Sequence, residues 1–173
     1  KACEIFTSQH GLSIAADKIT ISTAGYVPGL LRWKDEMPDV NIALSLHAMD
    51  NKKRSALIPL NEKWPVEKVL EIVRSIPRSK KRFVMYEYLV AKDFNDSEDD
   101  ARKLGEALIG QRAFVNLIPF NPFPGAKFER PSEVDVNRFK AILDEYKVSS
   151  LVRFTRGDEI LAACGQLNSR EEK

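Results

Sequence analysis

Five short apolar segments separated by helix-like segments are the feature that most limits how this chain can fold. The strand-like segments cover residues 19–23, 40–46, 83–90, 114–119 and 150–155. Several are apolar at nearly every position, as in strands covered on both faces. Strands that alternate with helices form parallel βαβ units with right-handed crossovers. The sequence therefore predicts an α/β fold with parallel strands.

The intervening segments carry apolar residues at helical spacing. Pro65 suits the first turn of a helix, and one apolar stripe follows it, made of Val66, Val69, Leu70, Val73 and Ile76. Ser97 precedes three acidic residues, a pattern typical of a helix N-terminus, and Gly110 can end that helix. Two further helices are predicted to begin near Ser132 and near Pro28.

The length of the chain restricts the choice of α/β architecture. A closed eight-unit barrel needs about 250 residues, whereas this chain has 173. Five strands therefore form either a small open sheet or the C-terminal part of a larger barrel. The segment 119–131 contains four prolines, which predicts a stiff loop. We interpret residues 1–173 as a single α/β domain.

Composition excludes several classes of protein. No apolar run approaches the roughly 18 residues of a membrane span, so no membrane partner is expected. Two cysteines, Cys3 and Cys164, provide neither a disulfide framework nor a metal knuckle. We therefore expect a cytoplasmic protein. The net charge of +2 neither indicates nor excludes a nucleic-acid partner.

Polar side chains follow the predicted strands where ligands bind in parallel α/β folds. They are Ser22, Ser45, His47, Asn116, Asn121, Arg153, Arg156 and Cys164. Hydroxyl, imidazole and carboxamide groups on one rim suit a polar ligand with ribose hydroxyls and an amino-acid end.

Each of these residues also has a purely structural interpretation. His47 is compatible with a hydrogen-bonded structural histidine, and Cys164 with an inert buried thiol. Arg153 and Arg156 are compatible with a solvated basic edge. The sequence contains no glycine-rich phosphate loop and no HExxH motif. The residues by themselves thus indicate an α/β domain with a polar rim and a thiol near its C-terminus.

Four longer segments together resemble one family. They are ITISTAG (19–25), IALSLHAMDNKKRSALIPLN (42–61), VNLIPFNPFPGAKFERPS (115–132) and VRFTRGDEILAACGQL (152–167). In order and spacing they are similar to the RlmN family, radical-SAM methyltransferases that form 2-methyladenosine in ribosomal RNA. The resemblance runs from about residue 13 to 167. It implies that the chain is the C-terminal portion of a partial (β/α)6 radical-SAM barrel.

The resemblance also implies roles for individual residues. The S-adenosylmethionine contacts of the family carry over onto Ser22, Ser45, Leu46, His47 and Asn121. Its methyl-carrying cysteine carries over onto Cys164, and we expect Arg153 and Arg156, which flank that thiol, to bind substrate RNA. Three positions depart from the usual family pattern, namely Met49, Glu159 and Leu161.

The implied activity is methylation of adenine C2 in 23S rRNA, and in many members also in tRNA, through a methylated cysteine. The implied cofactors are S-adenosylmethionine and a [4Fe–4S] cluster, with a reductant protein such as flavodoxin as a partner. The cluster-binding CxxxCxxC loop and the N-terminal RNA-binding segment are absent from this sequence. We therefore expect no metal ligands here, and a C-terminal fragment that is inactive alone.

Two alternatives remain open at this point. One is the related methyltransferase that modifies adenine C8 and confers antibiotic resistance. The other is a non-catalytic α/β module that binds a nucleotide or RNA.

Overall fold

The computed structural model describes residues 1–37, 39–77 and 83–153. Arg156 and Cys164 lie outside the described residues. The predicted alternation is confirmed. The strands are β1 (Thr20–Thr23), β2 (Asn41–Ser45), β3 (Val84–Val90), β4 (Ala113–Pro119) and β5 (Ser149–Val152). The α-helices are α1 (Ala2–Thr7), α2 (Val27–Glu36), α3 (Asn51–Leu57), α4 (Val66–Ser75), α5 (Glu98–Leu108) and α6 (Glu133–Glu145).

The strands form one five-stranded sheet in the order β1-β2-β3-β4-β5. The β1–β2 and β2–β3 pairs are parallel, with Ser22 opposite Ala43 and Ser45 opposite Glu87. The α/β class expected from the sequence is therefore confirmed. In the part of the chain with described coordinates, no helix is long and apolar enough to cross a membrane.

Burial along the strands differs from the expected two-sided pattern. Consecutive buried residues occur in β2 and β4, whereas burial alternates residue by residue along β3. In β1 and β5, which end the strand order, exposed and half-buried residues alternate. A sheet with this pattern is well covered on one face and partly open on the other.

Two elements were not predicted, the helices α1 and α3. The α3 segment reads NKKRSAL and has no apolar stripe. Its buried member is the charged residue Arg54 rather than a hydrophobic one. Helix-period patterning therefore gave no signal for it. Asp50 nevertheless caps α3, because its carboxylate accepts a hydrogen bond from the Lys53 amide at 2.9 Å.

The described residues divide into two compact units, 1–87 with 110–114, and 88–109 with 115–153. In the first unit, α2 packs against α4, whose predicted apolar stripe is buried. Buried residues of β2 and β3 add to this core, namely Ile42, Leu44, Val84 and Tyr86. Pro65 lies one residue before α4, at its N-cap.

In the second unit, α5 packs against α6 and both predicted caps are present. The Ser97 and Ser132 hydroxyls each accept a hydrogen bond from a backbone amide at 3.1 Å. Gly105 allows the close approach of Tyr146, whose ring atoms would lie 2.6 Å from a Cβ at that position. The glycine therefore sets how closely the segment after α6 approaches α5.

Candidate functional site

The site in the first unit is built on a sharp turn after β2. The Leu46 and His47 amides both donate to the Glu87 carbonyl, at 2.9 and 3.2 Å, and the Ala48 amide donates to the Leu46 carbonyl at 2.8 Å. His47 consequently has a φ of +60°, which is uncommon for a residue with a side chain. The strain is held by hydrogen bonds on both sides of the residue, a pattern often found at functional sites.

His47 is held in its neutral form. Burial is the main cause that lowers the pKa of its imidazole to about 4, and the positive charge of Arg54 lowers it further. A hydrogen bond to the Glu87 backbone acts in the opposite direction but is outweighed. A neutral imidazole can donate a hydrogen bond at one nitrogen and accept one at the other. At neutral pH His47 therefore contributes an uncharged imidazole to the turn.

Arg54 connects the ends of β1 and β2. Its side chain is only 1% exposed. It donates to the carbonyls of Leu46 (3.0 Å), Ser45 (3.2 Å) and Ala24 (2.9 Å), and to the Asn61 carboxamide oxygen (2.8 Å). Burial lowers the pKa of the guanidinium to about 10, so it stays charged at neutral pH. All four acceptors are uncharged oxygens, so carbonyl dipoles stabilise this buried charge.

Two residues around Arg54 complete the network. Asn61 is buried and donates to the Asn51 carbonyl at 3.1 Å, to its side-chain oxygen at 3.0 Å and to the Ser55 hydroxyl at 3.0 Å. Gly25 has a φ of +97° and lies against α4, where an added Cβ would be 2.9 Å from a Val69 methyl. Sequence patterns missed these roles, because neither the burial of Arg54 nor its acceptors follow from local spacing.

Alternation along the parallel strands separates two faces in this unit. The covered face carries Ile42, Leu44, Val84 and Tyr86. The opposite face, here called the open face, carries the half-buried Ser45, Met85 and Glu87 and the exposed Ser22. Ala43, a small buried residue, lies between Ser22 and Met85 in the strand register. The open face therefore presents hydroxyl and carboxylate groups at the carboxyl ends of neighbouring strands.

The structure brings together four of the predicted site residues. Ser22 and Ser45 lie on the open face of adjacent strands, one row apart, and Leu46 and His47 follow directly. Leu46 differs from the others because its side chain is fully buried and both its backbone polar groups are hydrogen-bonded. Its predicted contact with a ligand stays a prediction.

The remaining predicted residues belong to the second unit or lie outside the described residues. Asn121 is half-buried in the proline-rich loop after β4. This loop is ordered by aromatic contacts, with Phe120 and Phe128 rings 5.9 Å apart and Phe94 4.6 Å from Phe128. Arg153 is exposed one residue after β5, and its amide donates to the Leu117 carbonyl at 2.8 Å.

The similarity to known proteins extends over nearly the whole chain. The dual-specificity RNA methyltransferase RlmN of Nautilia profundicola is 41% identical over 171 residues, which are 99% of this chain and 48% of that protein. A probable dual-specificity RNA methyltransferase RlmN of Fervidobacterium nodosum is 39% identical over 173 residues, covering 98% and 50%. The chain is an RlmN-type sequence.

Solved structures agree with this assignment. A radical SAM methyltransferase from Sphaerobacter thermophilus superimposes on this RlmN-type chain with a TM-score of 0.86 and 40% identity, covering 95% of it and 48% of that structure. A domain of a pyruvate-formate lyase-activating enzyme from Bacteroides vulgatus, at 16% identity and a TM-score of 0.60, shows the same fold. No protein-family model matches the sequence. The chain spans about half the length of the curated RlmN relatives that it matches.

The residues of this RlmN-type chain do not fit an iron–sulfur cluster. Radical-SAM clusters are held by three cysteine thiolates, and the sequence contains only Cys3 and Cys164. Within residues 1–37, 39–77 and 83–153, no group of three or more His, Cys, Asp and Glu side chains could hold a metal ion. Cluster ligands would have to come from outside this sequence.

Proposed function

We propose that this chain forms part of a radical-SAM methyltransferase that produces 2-methyladenosine in 23S rRNA, with tRNA as a second substrate. The observation that carries the proposal is the RlmN-type similarity, about 40% identity across 98–99% of the chain. The open face supports it, because polar groups meet there at the carboxyl ends of parallel strands. Activity would require the segments that supply cluster ligands.

The first unit has the groups needed to hold S-adenosylmethionine. The ligand carries ribose hydroxyls, an adenine ring and an amino-acid end. Ser22 and Ser45 offer hydroxyls, and His47 contributes an uncharged imidazole. Arg54 fixes the backbone from which Ser45 and His47 project. Asn121, whose role the family resemblance implies, is proposed separately as a contact of the same ligand through its carboxamide.

Cys164 is proposed to accept the methyl group. When bound, S-adenosylmethionine supplies a methyl group activated by a sulfonium. Adenine C2 is not a nucleophile, whereas a thiolate is a good one. Cys164 would therefore be the residue that accepts the methyl group as the sulfonium C–S bond breaks, with S-adenosylhomocysteine as the leaving group. Later transfer to the base needs the cluster and a reductant protein, proposed to be of the flavodoxin type.

Arg153 and Arg156 are proposed to bind the RNA backbone near this thiol. Arg153 is exposed after β5, where its guanidinium can reach solvent. Each phosphate contact adds a salt-dependent contribution to RNA affinity.

The experiment compares two cysteine variants of the longest native gene product that contains this chain. Cys164→Ala should abolish 2-methyladenosine in 23S rRNA, measured by mass spectrometry of nucleosides. Cys3→Ala is the matched control and should keep wild-type activity. Cys3 lies in α1, and none of the proposed roles involves it. The peptide 155–166 should carry a methyl group only in proteins with Cys164.

Three results would contradict the proposal. Methylation by Cys164→Ala at the wild-type rate would exclude this residue as the methyl carrier. Formation of 8-methyladenosine by the wild-type protein would indicate the related C8 methyltransferase. RNA binding without methylation, in protein reconstituted with iron and sulfide, would indicate a non-catalytic binding module.

A further inference from the structure

Glu87 is a carboxylate whose position the proposed chemistry does not yet use. It lies in β3 opposite Ser45 in the parallel register, on the open face. Its neighbours along the strand on that face, Met85 and Leu89, are apolar, and the alternate residues Tyr86 and Tyr88 are fully buried. A half-buried carboxylate at this position costs free energy unless something compensates its charge.

No compensating group is found among the described residues. The Glu87 carboxylate makes no hydrogen bond and no ion pair with any part of the chain that the structure describes. Its backbone carbonyl, in contrast, accepts from the Leu46 and His47 amides and thus belongs to the turn that carries the site. The backbone of Glu87 therefore holds this residue beside the turn that carries the site.

The charges of the surrounding groups indicate what kind of ligand Glu87 suits. Arg54 places a buried positive charge behind the carbonyls of Ser45 and Leu46. The pKa of His47 is lowered to about 4, so its imidazole adds no charge at neutral pH. Arg54, whose own charge is stabilised by Glu67, would repel a cation on the open face, and an anion on that face would offset this repulsion. Glu87 supplies a negative charge on the open face, opposite Ser45.

We infer that the Glu87 carboxylate recognises the positively charged sulfonium of S-adenosylmethionine on the open face. The inference rests on the proposed function, because it concerns the same ligand. Glu87 would make the site prefer the charged methyl donor over its neutral product, S-adenosylhomocysteine. The two ligands differ by one methyl group and the sulfonium charge. An electrostatic contact with Glu87 therefore raises the affinity for S-adenosylmethionine relative to that for S-adenosylhomocysteine.

The experiment measures both ligands by calorimetry, using the longest native gene product that contains this chain. Glu87→Gln keeps the size of the side chain and removes its charge. It should weaken S-adenosylmethionine binding by about ten-fold and leave S-adenosylhomocysteine binding within about two-fold. Added salt should reduce the difference in S-adenosylmethionine affinity between the wild type and the variant. Glu36→Gln is the matched control, because Glu36 is exposed on α2 and pairs with Arg32 at 2.9 Å.

The outcomes separate the inference from the proposed function. Unchanged affinities for both ligands in Glu87→Gln would overturn the inference while leaving the proposed function intact. Equal loss of both ligands would assign Glu87 a structural role and would also overturn it. A wild-type protein that binds neither ligand would contradict the proposed function itself, and the inference with it.

Discussion

Acid should destabilise this protein through His47. The pKa of the imidazole is lowered from 6.5 to about 4, mainly by burial and then by the charge of Arg54. Between these two values the unfolded chain binds a proton that the folded chain does not. The free energy of unfolding therefore falls as the pH drops from about 6.5 to 4, and this contribution levels off below pH 4.

The magnitude follows from the two pKa values. Between pH 7.5 and 4.5, the linkage relation gives a loss of up to about 2.5 kcal/mol from this one group. His47→Asn should remove that contribution, since asparagine does not titrate. Asparagine also tolerates the positive φ at this position better than most residues. Any loss of packing by the variant applies at both pH values and cancels in the comparison.

Urea unfolding of wild type and His47→Asn at pH 7.5 and 4.5 provides the measurement. The wild type should lose about 2 kcal/mol more on acidification than the variant. His10→Asn is the control, because it removes the other imidazole of the chain at an exposed position. Equal acid sensitivity of wild type and His47→Asn would refute a half-buried His47 that stays neutral in the folded protein.

Two further perturbations test the network behind the site. Gly25→Ala should lower the free energy of unfolding by about 1–3 kcal/mol, because Gly25 combines a φ of +97° with a 2.9 Å approach to α4. Gly110→Ala, at a φ of +71° with open space, should cost clearly less, and equal urea midpoints would argue against the close approach. Asn61→Ala removes an acceptor from buried Arg54 and should cost about 1.5–3 kcal/mol. An unchanged thermal midpoint would show that Arg54 does not depend on this contact.

The regular part of the fold was predictable from the sequence. Each strand occurs within about a residue of its predicted segment as far as the chain is described, and the Ser97 and Ser132 caps are where the acidic first turns indicated. These features depend on spacing and on residues three or four positions apart, which a sequence shows directly. Ser22, Ser45 and His47 were predicted as ligand contacts because ligands bind at strand ends in parallel folds, and these contacts stay predictions.

What the sequence could not determine depends on residues that meet only in the folded chain. Arg54 stands in a polar segment, Asn51-Lys52-Lys53-Arg54, which by composition belongs on the surface. It is buried because its acceptors come from residues 24, 45–46 and 61, up to 30 positions away. Glu87 was likewise one polar residue in an apolar strand until the parallel register placed it opposite Ser45. Tertiary packing sets such hydrogen-bond partners, and strand register sets which residues lie opposite each other. Local sequence patterns predict neither.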